Sequence, residues 1–283
     1  MSATAIQDTA RESEDTLKCI GNGPDSGFDI FAAALALAAV ERPRIELARY
    51  REHMAKIIGD VDARANKNLA SLEECISALR QAIIVDNDYQ GDVETYDDIQ
   101  NANIMRVIDR RRGLPVSLGI LYLQAARAQG WGACGLNFPG HFLIQLEYDG
   151  QRAIIDPFND AVACAPNEMR QLLKATIGNE AELAPQHYAA VTDRDVLLRL
   201  QNNVKLRLAQ LGEGARVVSV IKVMLLFAPM EFFLWRQMAA QEEKLGNLQA
   251  AVTALNEYLK REVRDGPRQE AAILLQSLQR RIN

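Results

Sequence analysis

Apolar residues recur at helical spacing along most of this chain and give way to strand-like alternation in one place. The pattern predicts a helix over residues 29–41 that stops before Pro43. A second, over 45–59, turns Leu47, Tyr50, Met54, Ile57 and Ile58 toward a core. Ser71 caps a third, with Leu72, Cys75, Ile76, Leu79 and Ile83 on one face. A further helix runs through Ile104, Val107 and Ile108. Pro115 suits a first helical position, Val116, Ile120, Leu121 and Leu123 with Ala125 and Ala128 form an apolar face, and Gly130 ends that helix. Another spans 167–176.

The alternation surrounds Asp149-Gly150, a two-residue turn signal between strands. With that turn, opposed residues have numbers summing to 299, and Glu147 faces Arg152 as an opposite-charge pair. Phe142, Ile144, Leu146 and Ile155 then share one face, and His141, Leu143, Gln145, Ile154 and Asp156 the other. Asp156 opposes Leu143, which makes His141 its diagonal neighbour at roughly 5–8 Å.

Beyond Tyr188 a longer period emerges. Leu211-Gly212 and Leu245-Gly246 are 34 residues apart, with Leu200 matching Leu234, Val218 Val252, Ile221 Leu255 and Leu225 Leu259. That is the tetratricopeptide period. Gly266-Pro267 breaks the chain before a last amphipathic helix through Ile273, Leu274 and Leu278. Residues 1–27 are polar and end in GNGPDSG, and read as a mobile tail. The expected organisation is that tail, a core over 28–190 and a helical repeat domain over 191–283.

Three side chains carry candidate chemistry. Ser117 falls in the first turn of its helix, where free N–H groups and the helix dipole favour negative charge. Asp156 is placed to hold one nitrogen of His141 and aim the other at a nucleophile. The same residues also suit a structural account: a first-turn serine bonding its own backbone, and a strand-end histidine beside a turn aspartate. Asn103 could orient a substrate or cap a helix, and Asn137 joins it as a candidate binding residue. Cys134 is a rival thiol, but no helix start lies there to lower its pKa. Arg110, Arg111 and Arg112 read as a solvated helix end. The acidic loop over 86–98 lacks the spacing of a calcium loop.

The stretches NFPGHFL, IDPFN and RRRGLPVSLGILYL together resemble the SirB-type bacterial proteins, described as regulators of sirC expression. The resemblance covers about residues 28–283. It implies an α+β, mostly helical fold: a transglutaminase-like (papain-like) core with a small antiparallel sheet, followed by tetratricopeptide-like repeats. Transglutaminase-like enzymes place a cysteine at a helix start, a histidine on the next strand and an aspartate on the strand after. Those positions here are Ser117, His141 and Asp156, and serine replaces the cysteine. The resemblance therefore implies a cleft and repeats that bind a protein or peptide, with acyl transfer or amide hydrolysis by a Ser-His-Asp triad as the alternative. The surroundings PVSLG are not a strained nucleophile elbow, since Pro115 replaces its first glycine.

Composition narrows the classes. A net charge of −5 and a pI near 5.4 argue against broad nucleic-acid binding. Four scattered cysteines and three histidines form no zinc spacing, so no cofactor or metal is expected. The apolar run over 28–40 is too short to span a bilayer, and Arg11 among acids is unlike an export signal, which makes the cytoplasm the expected compartment.

Overall fold

The computed structural model describes residues 3–65 and 71–282, most of them helical. In chain order the first elements are α1 (Ala3–Asn22), α2 (Ile30–Glu41), α3 (Ala48–Ala65), α4 (Leu72–Arg80), β1 (Gln90–Gly91), α5 (Ile104–Arg110), β2 (Arg112–Gly113) and α6 (Pro115–Ala128). There follow β3 (Gly132–Leu136), β4 (Ile144–Tyr148), β5 (Gln151–Asp156), β6 (Val162–Ala163), α7 (Pro166–Ile177) and β7 (Ala190–Val191). The last are α8 (Asp193–Gln210), α9 (Gly214–Phe227), α10 (Phe233–Lys244), α11 (Leu248–Leu259) and α12 (Asp265–Ile282).

Two compact units result: Met1–Thr16 with Pro24–Leu200, and Leu17–Gly23 with Gln201–Asn283. The division falls inside α8 rather than at residue 190. The segment read as a polar tail is corrected by α1, whose Ala10, Ser13, Leu17 and Ile20 are the more buried positions. Their 3–4-residue spacing is a helical stripe, hidden in the sequence because one of its members is serine. Ser13 resolves its own polarity by donating to the Thr9 carbonyl.

In the first unit α6 is the hub. Every residue from Pro115 to Leu123 is buried, and α2, α3, α4 and α5 all pack against it. The helix ends behave as polar-cap chemistry requires: Asp29 accepts from Ala32 N at 2.8 Å and Ser71 from Glu74 N at 3.3 Å. The sheet is antiparallel throughout, in the order β6-β5-β4-β3-β7. The hairpin has the expected register, with Ile144 opposite Ile155 and Glu147 opposite Arg152. Asp149 at φ 47° and Gly150 at φ 74° supply the paired left-handed residues that a tight hairpin turn needs. Arg152 Nε donates to Glu147 Oε2 at 2.8 Å.

The sheet lies between layers. On one face Phe142 and Ile144 meet α6; on the other Leu136, Leu143, Met169 and Leu173 join under α7. The glycine-rich connection before the hairpin is itself strand β3. Its Gly132 and Gly135 permit close approach of Glu147 and Phe142, which is why glycines occupy a strand there.

The arginine run is not a solvated helix end. Arg110 enters a buried network described below. Arg111, left-handed at φ 58°, puts Nη1 at 2.7 Å from both His53 Nε2 and Tyr89 Oη. Burial and the adjacent Arg111 charge push His53 down to about 4.

In the second unit α10 packs on α9 and α11, and α11 on α12. The 34-residue offset reappears in the turns. Gly212 and Gly246 have φ of 73° and 80°, Glu213 N bonds Leu208 O as Asn247 N bonds Glu242 O, and Val217 N bonds Glu213 O as Ala251 N bonds Asn247 O. Ile221 and Leu255, at the same offset, are both fully buried.

Candidate functional site

The site begins at the entrance to α6. Pro115 occupies the first turn without needing an acceptor, and Leu114, just outside it, sends its N–H to the Asn101 carbonyl at 3.2 Å. Ser117 Oγ donates to that same carbonyl at 2.7 Å, and the residue is 0% exposed.

Asn101 is in turn fixed from its side chain. Its Nδ2 donates to Thr95 O at 2.7 Å, and its Oδ1 accepts from Arg110 Nη1 at 2.8 Å. Arg110 Nη2 donates to Asp92 Oδ2 at 2.8 Å, while Asp92 also accepts from Thr95 N and Thr95 Oγ1. Burial pushes the Asp92 carboxyl up, but its donors Thr95, Asn101 and Arg110 outweigh that and hold it at about 2. Loop 92–101 is thus closed on itself by a charge-assisted network. One end of that network holds Ser117.

The hairpin delivers the other two residues. His141 Nε2 lies 2.8 Å from Asp156 Oδ1, with the side chains only 10% and 5% exposed. Asp156 also accepts from Phe158 N at 2.9 Å and, through Oδ2, from Asn159 Nδ2 at 2.6 Å. Burial raises the Asp156 carboxyl, yet the His141 hydrogen bond and charge, with the Asn159 and Phe158 donors, bring it below its ordinary value. An ionised carboxylate accepts only, so Nε2 carries a proton, and in the neutral form of the ring the lone pair sits on Nδ1. His141 itself precedes the strand: β4 starts at Ile144, and the expected Leu143–Asp156 pairing is not made. The histidine is held by its backbone instead, since Arg199 Nη2 donates to the carbonyls of Phe138 and His141.

Aromatic packing completes the surroundings. Phe158 meets the His141 ring edge-on at 5.9 Å and Tyr96 edge-on at 5.8 Å. It lies against Gly91, where a Cβ would come within 2.7 Å of the ring.

The remaining candidates are placed as follows. Asn103 caps α5, accepting from Arg106 N at 3.2 Å, and its Nδ2 donates to Glu41 Oε2 at 2.7 Å. Both ends of that amide are therefore engaged. Asn137 is exposed, with Nδ2 3.4 Å from Gln186 O. Cys134 is half-buried on β3, and burial pushes its thiol up. Cys164 is pushed up to about 12 by burial and by the charges of Asp156 and Glu168. Neither is set up as a thiolate. Among the described residues no group of three histidine, cysteine or acidic side chains could hold a metal, and no helix is long and apolar enough to cross a membrane.

Sequence reasoning did not single out Asn101, Asp92, Phe158 or Arg199. Only the D-x-x-T spacing of Asp92 and Thr95, a side-chain turn signal, was there to be found. Arg199 acts across 58 and 61 residues of sequence on the carbonyls of His141 and Phe138, which leaves no local trace.

A buried first-turn serine on the central helix is thus followed by a histidine, just ahead of β4, hydrogen-bonded to the last residue of β5. The sequence profile of the transglutaminase-like superfamily matches residues 48–202, and the chain belongs to that superfamily. A UPF0162 protein of Xylella fastidiosa is 25% identical over 240 residues, covering 83% of this chain and 85% of the relative. A UPF0162 protein of Vibrio cholerae is 31% identical over 184 residues, covering 62% and 66%. F-box only protein 21 of Homo sapiens is similar over a shorter stretch, 31% identical over 121 residues, which is 41% of this chain and 19% of that protein.

Proposed function

We propose that this chain is a non-catalytic member of the transglutaminase-like superfamily, a protein-binding or regulatory module. In this reading Ser117, His141 and Asp156 serve as a structural or ligand-polarising set. The tetratricopeptide-like repeats after residue 190 offer the surface for a protein or peptide partner, without direct nucleic-acid contact, and the protein works in the cytoplasm.

One observation carries the reading. The Ser117 hydroxyl is buried and gives its proton to the Asn101 carbonyl. A serine hydroxyl is essentially un-ionised at neutral pH and attacks only when a base removes that proton. An amide carbonyl cannot act as that base. A cysteine at the same place would hold some thiolate without help, so exchanging it for serine raises the demand on geometry.

The second reading, acyl transfer or amide hydrolysis by Ser117, draws on the His141–Asp156 pair, which leaves Nδ1 as a base. It requires Ser117 to leave Asn101 for the imidazole. Labelling with a fluorophosphonate serine probe separates the two. The non-catalytic reading expects no label on Ser117 in the wild type; a label that disappears in Ser117→Ala supports the enzyme.

A further inference from the structure

A cavity of about 500 Å³ opens beside the loop that fixes Ser117, lined by residues 90–95 with Arg110 and Arg112. Its chemistry can be read by elimination. Its apolar contribution is Val93, which is 76% exposed, so an apolar ligand would gain little. A cation finds too few oxygen ligands, because Asp92 Oδ1 accepts from Thr95 N and Oδ2 from Thr95 Oγ1 and Arg110, which leaves the exposed Glu94 as the one uncommitted carboxylate among the lining residues. Asp92 thereby neutralises Arg110, leaving the Arg110 Nε–H without an acceptor among the described residues.

Arg112 is the unbalanced charge. It makes no ion pair among the described residues, and its Nη1 only reaches the carbonyls of Asp88 and Arg111 at 3.4 and 3.2 Å. Glu94 opposes it from an exposed position, where water and salt screen the charge.

We propose that this cavity binds a small oxyanion-bearing ligand, a carboxylate or a phosphate, through Arg112 and the free edge of Arg110. Occupancy would anchor Arg110 from a third side and so stiffen loop 92–101, which holds Ser117. The regulatory half rests on the reading that Asn101 holds the Ser117 hydroxyl; the binding half does not.

The test uses the full chain at constant ionic strength set with chloride, titrated separately with inorganic phosphate and with succinate. Calorimetry reads affinity, and hydrogen–deuterium exchange reads the backbone of 92–101. Binding of either probe is expected, the stronger one identifying the ligand class, with exchange in 92–101 slowed about threefold or more. Arg112→Gln is expected to weaken binding about tenfold, and Glu94→Gln, at an exposed position, to tighten it about twofold. Equal binding by wild type and Arg112→Gln, or no binding of either probe by wild type and Glu94→Gln, overturns the site. Binding that leaves exchange in 92–101 unchanged overturns the regulatory half. Serine-probe labelling of Ser117 would overturn the non-catalytic reading while leaving the titrations intact.

Discussion

The ring of Phe142 fills the space that a side chain on Gly119 would need: a Cβ there would lie 2.5 Å from Phe142 Cε1. Gly135 gives way to the same ring from the sheet side, at 2.7 Å from Cζ. Phe142 follows His141, and Gly119 lies two residues beyond Ser117. This one aromatic contact therefore sets the spacing between the helix entrance and the start of the hairpin.

Substitution at Gly119 tests that contact. Overpacking a tight core costs about 1–3 kcal/mol, against a gain of roughly 1 kcal/mol when alanine replaces a mid-helix glycine. Gly119→Ala is expected to lose up to about 2 kcal/mol in denaturant unfolding, and Gly119→Val more. An unchanged unfolding midpoint for both would show that the ring is not wedged.

Acid should act through His53. Its folded-state pKa is lowered to about 4 by burial and Arg111, whereas an unfolded histidine titrates near 6.5. Between those values the unfolded chain binds the extra proton, so stability is full above about 6.5 and falls as pH drops toward 4. His53→Gln is expected to flatten that part of the stability–pH profile. A wild-type profile level from pH 7 to 4.5 would contradict this.

Carboxylates act lower. Asp92 at about 2 and Asp156 below its ordinary value stabilise the fold above about pH 4, and that contribution is lost as pH falls through their folded values. Asp92→Asn is expected to reduce stability at neutral pH and to shrink the loss below pH 4. Chemical unfolding at pH 7 and pH 3 measures both.

In the second unit, Gly212 and Gly246, 34 residues apart, both take left-handed turn conformations, and a Cβ at either would meet nothing within 4 Å. Alanine there is expected to cost about 1 kcal/mol from backbone conformation alone. Similar losses for the two variants would support the structural equivalence that the 34-residue period implies, and a large difference would not.

What could be read from sequence follows from where each signal resides. The hairpin register, the Pro115 helix start and the caps at Asp29 and Ser71 are local, and a few adjacent residues decide them. So are the glycine turns at 212 and 246. Helix α1 was missed because its buried stripe includes serine among polar neighbours. Strand β3 was missed because its glycines answer to Phe142 and Glu147 across the sheet. The site splits the same way. Pairing His141 with Asp156 follows from the turn at Asp149-Gly150, although His141 lies outside the strand proper. The partner of Ser117 does not follow, because it is a backbone carbonyl sixteen residues away whose position depends on Arg110 and Asp92.

The central claim is that the Ser117 hydroxyl donates to the Asn101 carbonyl while the His141 imidazole bonds Asp156 and, among the described residues, not Ser117. Side-chain nitrogen NMR of His141 tests it most directly, comparing the wild type with Ser117→Ala and Asp156→Asn at neutral pH. The account predicts a proton on Nε2, an Nδ1 resonance unmoved by Ser117→Ala, and loss of the Nε2–H signature in Asp156→Asn. An Nδ1 resonance that shifts when the Ser117 hydroxyl is removed would place that hydroxyl on the imidazole and contradict the account.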